Sequence, residues 1–229
     1  YVRINAFPTR YCIADLDAVV GRWLDGVVLP KAEAPEALQV VAQRMSRLEE
    51  GAGIPAGTLD LIALVESAKG LQRCDELAAA TPRIRHLALG GEAYMQDLEL
   101  EWSAGEQELS YARARLTHAS RVAGIEPPID TAVLQIPDHE RFRSSALNGR
   151  RMGFQGKLCT AVNQLAACHE VFTPSAPEVE RARAVVGAFE QAQARGSAPL
   201  GAEVEALDQP LVHQARRILA LAARGRLDP

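Results

Sequence analysis

The sequence has no apolar run approaching the roughly 18 to 20 residues that cross a bilayer, so no membrane partner is expected. Its basic residues are spread along helical segments without interleaved aromatics, and the formal net charge is −4. A nucleic-acid surface needs a basic stripe, so none is expected either. Cysteine is scarce: Cys12, Cys74, Cys159 and Cys168 stand apart, with neither metal-ligand spacing nor the density of a disulfide framework. Reduced thiols and a cytoplasmic location are the expectation. GxGxxG, GxSxG, HExxH and CxxC are all missing, and the histidines do not pair at ligand spacing. Gly153 to Leu158 fails as a phosphate loop, because its first glycine is misplaced and Leu158 stands where a hydroxyl is required. Residue 1 is Tyr, no signal pattern follows it, and Tyr1-Val2-Arg3-Ile4-Asn5 already alternates like a strand. The chain is therefore expected to enter a domain midway.

What is present is a 229-residue chain, 48% hydrophobic, enough for one sizeable core. Its organising stretch is Leu59-Asp60-Leu61-Ile62-Ala63-Leu64-Val65-Glu66-Ser67, which reads as a strand buried on both faces of a parallel sheet and ending on a carboxylate. Strands are expected from about residues 2, 26, 59, 86, 129 and 153, the fifth reaching Ile136. Between them the spacing predicts helices over Cys12 to Leu24 (Leu16, Val19, Val20 and Trp23), from Pro35 (Leu38, Val41, Met45 and Leu48), over Ala68 to Ala80, from about Gly105 to Ala123 with Gly124 as its stop, and over His139 to Arg151.

Strict alternation of this kind predicts a parallel sheet with right-handed crossovers. Two architectures fit: an open doubly wound sheet, or a (β/α)8 TIM barrel whose first two units precede residue 1. The missing GxGxxG favours the barrel. The barrel domain is expected over residues 1–172. A C-terminal helical extension over 173–229 follows, with a capping box at Ser175-Ala176-Pro177-Glu178, a linker at 195–201 and a last helix from about Gln209 to Arg224. Such a tail serves contact with a neighbouring subunit or packs back on its own barrel.

In a barrel the carboxyl ends of the strands converge on one mouth. Those positions hold Arg3, Asn5, Lys31, Glu66 and Gly91-Glu92. Arg3 can fork a carboxylate or a developing oxyanion, and Glu66 can bind a hard cation such as magnesium. A polyanionic substrate fits that set; mutual neutralisation of charges across the barrel end is the plainer alternative.

Val2-Arg3-Ile4-Asn5, Asp25-Gly26-Val27-Val28-Leu29-Pro30-Lys31, Leu61 to Ser67, Gly90-Gly91-Glu92, Tyr111-Ala112-Arg113, Gly153-Phe154-Gln155-Gly156-Lys157 and Val171-Phe172-Thr173-Pro174-Ser175 resemble, in order, the citrate lyase beta-subunit-like branch of the HpcH/HpaI aldolase family. The resemblance implies a magnesium-dependent carbon–carbon lyase acting on a citramalyl-, malyl- or citryl-thioester (an acyl-CoA), usually trimeric, with two barrel strands ahead of Tyr1. It implies Glu66 as a magnesium ligand and Arg3 as the clamp on the substrate carboxylate or nascent enolate. Asp208 would be the tail aspartate that serves as acid/base in a neighbouring subunit; capping the last helix is its bland alternative. Two departures matter. Ala93 stands where a second metal-binding Asp is expected, so either Glu92 or Asp97 substitutes, magnesium is held weakly by Glu66 and waters, or the metal has been lost. Thr160-Ala161-Val162 replaces Ile-His-Pro. Ala93 and Ala161 motivate a rival, a thioester-binding or assembly subunit without lyase chemistry. A second rival is a metal-dependent pyruvate aldolase working without CoA or Asp208.

Overall fold

The computed structural model describes residues 1–134, 138–194 and 209–224. The chain divides into two compact units, Tyr1–Cys168 and His169–Pro229.

In the first unit β1 (Val2–Arg3), α1 (Arg10–Val19), β2 (Gly26–Leu29), α2 (Pro35–Gly51), β3 (Asp60–Val65), α3 (Ala68–Gln72), α4 (Cys74–Ala78), β4 (Ile84–Leu89), α5 (Gly91–Asp97), α6 (Ser110–Ala123), β5 (Ile129–Asp130), α7 (His139–Arg151) and β6 (Gly156–Lys157) follow one another. The strands form one sheet in the order β1-β2-β3-β4-β5-β6, every neighbouring pair parallel. A doubly wound sheet reverses its strand order at a switch point; this one never reverses, so its winding is that of a barrel wall. Period-2 alternation divides the strands between two layers. Val28, Ile62, Leu64 and Ala88 form one cluster, against which Ile129 and Leu158 pack. The alternate residues Val27, Leu61, Ala63, Val65, Leu87 and Leu89 are fully buried, as are helix residues Leu16, Leu38, Val41, Met45, Leu116 and Ala119.

The expected six strands all form, with corrected bounds. The first helix stops at Val19: Val20 is extended (ψ 119), and Trp23, expected on the helix's apolar face, is 66% exposed with its indole over Gly21. The helix expected over Ala68 to Ala80 is two short helices, because Arg73 leaves helical geometry at φ −100, ψ 13. The fifth strand keeps only two ladder residues, since the Thr131 hydroxyl turns aside to accept Gly91 N–H at 2.8 Å; residues 135–137 of the expected strand lie outside the described residues. Gly153, at φ +93, makes a turn, so pairing resumes only at Gly156. Gly124 stops α6 in the left-handed conformation (φ 70), as the sequence predicts.

At the strands' amino ends lies an acid that sequence reasoning missed. Glu49 on α2 is fully buried and paired with Arg83, whose Nη1 donates to Glu49 Oε1 and to the Leu59 carbonyl, both at 2.9 Å. Glu49 also accepts the N–H groups of Gly57 (2.8 Å) and Leu59 (2.7 Å). Burial pushes its carboxyl up, but Arg83 and the two N–H groups outweigh burial and hold it below its ordinary value. The stabilisation is therefore complete above the unfolded carboxylate value of about 4.3 and is lost as pH falls through the lower folded value. Glu49→Gln should cost about 3 kcal/mol at pH 7, by leaving the Arg83 charge buried and unpaired. Urea midpoints should show the gap to wild type narrowing at pH 3, and an unchanged gap would contradict this account.

In the second unit α8 (Leu165–Phe172), which starts in the first, leads to α9 (Ala176–Ala194) and α10 (Gln209–Arg224). The capping box forms: Ser175 N–H donates to Glu178 Oε2 at 2.8 Å and Glu178 N–H to Ser175 Oγ at 3.4 Å. Val179, Ala182 and Phe189 of α9 and Val212 and Ala215 of α10 are buried, with the Arg216 guanidinium 5.9 Å from the Phe189 ring centre. The expected linker at 195–201 lies outside the described residues.

Candidate active site

β3 ends at Val65, so Glu66 is the first residue past the ladder, and Ser67 behind it caps α3 by accepting Gly70 N–H at 3.1 Å. Glu66 is fixed from two sides. Its Oε1 accepts the Lys31 N–H at 2.9 Å, where Lys31 follows β2 with a positive φ of 49°, uncommon for a residue with a side chain. On the other side the end of β4 approaches so closely that a Cβ on Gly90 would lie 2.4 Å from Glu66 Cβ and 2.6 Å from Oε2. Glycine there lets the carboxylate lie against bare backbone. No hydrogen bond to Oε2 is found among the described residues.

Burial pushes the half-buried Glu66 carboxyl above its ordinary value, against the Lys31 N–H and the charges of Arg3 and Lys31, with Glu33 adding to the rise. Arg3 and Lys31 are exposed, and the charges of both act on Glu66. Glu33, missed in the sequence, belongs with them. One of its oxygens accepts the Ser67 hydroxyl at 2.8 Å and the other lies 3.3 Å from Lys69 Nζ.

The other expected residues are placed differently. Asn5 is engaged by α1, its N–H and Nδ2 both donating to Asp15 Oδ2 at 2.8 and 2.7 Å. Glu92 is exposed on α5 and borders a groove of about 220 Å³ walled by Met95, Leu100, Trp102 and Leu134. Asp97 is committed to α3, accepting Ala68 N–H at 2.7 Å. Asp208 lies outside the described residues. Among the described residues no three His, Cys, Asp or Glu side chains are grouped to hold a metal. The donor set still fits magnesium in one way: that ion keeps several waters and binds through one or two carboxylates plus substrate oxygens. Glu66, with Oε2 unpartnered by the described residues, can be that one carboxylate.

Asp130 and Lys157 alternate with the inward-packing Ile129 and Leu158, so they belong to the other layer, between sheet and helices. There they close a buried ring. Asp130 accepts Arg113 Nε at 2.9 Å and Lys157 Nζ at 3.0 Å; Arg113 Nη2 reaches Glu106 Oε2 at 2.7 Å; Ser145 Oγ donates to Glu106 at 3.0 Å and accepts from Lys157 at 2.7 Å. Burial opposes the Arg113 charge, but Asp130 and Glu106 overcome it and hold its pKa above the ordinary value. Two cations and two carboxylates cancel. Gly149 permits the approach, since a Cβ there would lie 2.6 Å from Asp130 Oδ2. Arg113 and Lys157 stand in the sequence strings that carry the resemblance, yet only the fold shows that they brace the strands beneath the site.

The family model described as HpcH/HpaI aldolase/citrate lyase matches residues 1–161. The chain belongs to this family. It is 32% identical over 226 residues to the citrate lyase subunit beta of Leuconostoc mesenteroides subsp. cremoris, covering 99% of this chain and 74% of that one. It is 28% identical to the mitochondrial citramalyl-CoA lyase of Rattus norvegicus, covering 96% of this chain and 68% of the relative. The crystal structure of CitE from Mycobacterium tuberculosis in complex with magnesium, acetoacetate and coenzyme A superimposes with a TM-score of 0.73 at 25% identity, over 97% of this chain and 78% of that one. An HpcH/HpaI fold and kinship with lyases are thereby established. Among the described residues no helix of this family member is long and apolar enough to cross a membrane.

Proposed function

We propose that this protein is a carbon–carbon lyase that cleaves a 3-hydroxyacyl-CoA, of the citramalyl-, malyl- or citryl-thioester type, to a 2-keto acid and an acetyl thioester. The observation that carries this reading is Glu66: an acid placed at the end of β3 between Lys31 and Gly90, with Arg3 in electrostatic reach, in a chain whose relatives are lyases. Magnesium on Glu66 would supply positive charge to the substrate's carboxylate and hydroxyl oxygens. Arg3 and Lys31 orient the substrate carboxylate. As the hydroxyl proton passes to the Asp208 carboxylate and the carbon–carbon bond breaks, electrons pass into the thioester as an enolate, whose oxygen Arg3 stabilises. Asp208, arriving from a neighbouring subunit, is the acid that protonates the enolate carbon. The working form in this proposal is a cytoplasmic homotrimer with a closed eight-stranded barrel.

Purified full-length protein incubated with the three thioesters and magnesium should release a 2-keto acid and acetyl-CoA or its equivalent. Folded protein that turns over none of them would end the proposal. Arg3→Gln should lower kcat/KM about 100-fold, because glutamine cannot fork an oxyanion with charge; unaltered kinetics would remove Arg3 from its role. Ala93 favours a second reading, a thioester-binding or assembly subunit without lyase chemistry. Thermal melts separate the two, since a metal that binds only the folded state raises the Tm. The second reading expects no rise with magnesium.

A further inference from the structure

Of the four cysteines, Cys12 and Cys74 are fully buried, whereas Cys159 and Cys168 are each partly exposed. These two also share a location. Cys159 follows β6, Cys168 sits on α8, and both Sγ atoms point to one acceptor, the Lys157 carbonyl oxygen, at 3.8 and 3.9 Å. The connection between them is held shut by buried Gln164, whose Oε1 accepts Thr160 N–H at 2.8 Å and whose Nε2 donates to the Val133 carbonyl at 3.0 Å. Val162 within the same connection is 83% exposed, so the loop fronts solvent. Two thiols brought together by a pinned loop have already met most of the ordering cost of a cross-link.

We propose that Cys159 and Cys168 form a thiol oxidation site that takes up a hydroperoxide's oxidising equivalents as an intramolecular disulfide. One sulfur attacks the peroxide oxygen, forming an S–O bond as the O–O bond breaks and giving a sulfenic acid plus an alcohol, or water from hydrogen peroxide. The second sulfur displaces the sulfenic oxygen, which leaves as water, and the S–S bond forms. Two thiols lose two electrons and two protons, and the peroxide gains them. Burial and the neighbouring sulfur push the Cys159 thiol up to about 12; the balance is the same whichever sulfur attacks first.

Trypsin tests this directly, because no Lys or Arg lies between Lys157 and Arg181, so one peptide, Leu158 to Arg181, carries both sulfurs. Full-length protein treated with a few equivalents of hydrogen peroxide, then alkylated in denaturant and digested, should show that peptide lighter by about 2 Da than its reduced, unalkylated form. Dithiothreitol should reverse the loss, and Cys12 and Cys74 should stay alkylatable. Cys159→Ser and Cys168→Ser should each abolish the loss; the wild-type map stands even if a variant folds poorly. Oxygen adducts without the mass loss, covalent dimers, or a bridge reaching Cys12 or Cys74 would overturn the proposal.

Discussion

Glu66→Gln is expected to lower kcat/KM for the thioester substrate by about 1000-fold or more, with no loss of folding. Glutamine keeps an oxygen for the Lys31 N–H and nearly the same volume against Gly90, so the fold has no reason to change. What disappears is the carboxylate, and with it the charge that holds a divalent cation. The magnesium-dependent rise in Tm should vanish with activity. The reverse change supplies a second reading of the same site: Ala93→Asp adds a carboxylate where the resemblance implies one, and should tighten magnesium binding about tenfold, because affinity for hard cations follows the number of charged oxygen ligands. Wild-type turnover in Glu66→Gln would remove this residue from the chemistry. Unchanged magnesium affinity in Ala93→Asp would show that the first turn of α5 does not aim that position at the metal.

The second large effect concerns stability. Asp130→Ala should cost about 3 to 5 kcal/mol, because it strands the Lys157 charge and leaves Arg113 with Glu106 alone, in side chains 0% and 1% exposed. For a domain of this size that is a fall in Tm of about 6 to 20 °C. Removing one member of a buried ring costs far more than the ring's net contribution, since the remaining charges lose their partners without regaining water. A quadruple replacement of Asp130, Arg113, Lys157 and Glu106 by apolar residues of similar volume should therefore cost less than Asp130→Ala alone, since it leaves no member of the ring charged. Melts of both variants check the order, and a quadruple variant less stable than the single one would refute it.

Both effects rest on residues whose legibility differed. Glu66 was legible because a carboxylate closing an apolar run is costly there without a task, and the end of a parallel strand is where ligands bind. The parallel sheet was legible for a related reason: strands buried on both faces read as continuous apolar runs, and helices with a three-to-four-residue apolar period must lie between them. Gly124 and the Ser175–Glu178 box marked helix ends by local chemistry alone. By contrast, Trp23 looked like a core residue because period alone cannot show where a helix stops, and Val20 and Gly21 stop it early. The fifth strand is shorter than its pattern because Thr131 answers to Gly91, 40 residues away, and the sixth starts later because Gly153 turns the chain at φ +93.

The class of fold, the family and the strand-end acid follow from the order of residues alone, since each rests on local pattern: periodicity, a costly charge in an apolar run, and strings of residues in order. Which charges meet is set by the folded chain. It paired Glu49 with Arg83 over 34 residues, closed the Arg113–Asp130–Lys157–Glu106 ring, took Asn5 and Asp97 for helix contacts, and placed Glu33 beside Glu66. The physical reason is that an ion pair or a hydrogen bond depends on separation in space over a few ångströms, a quantity that the spacing of residues along a chain does not carry until the strands are in register.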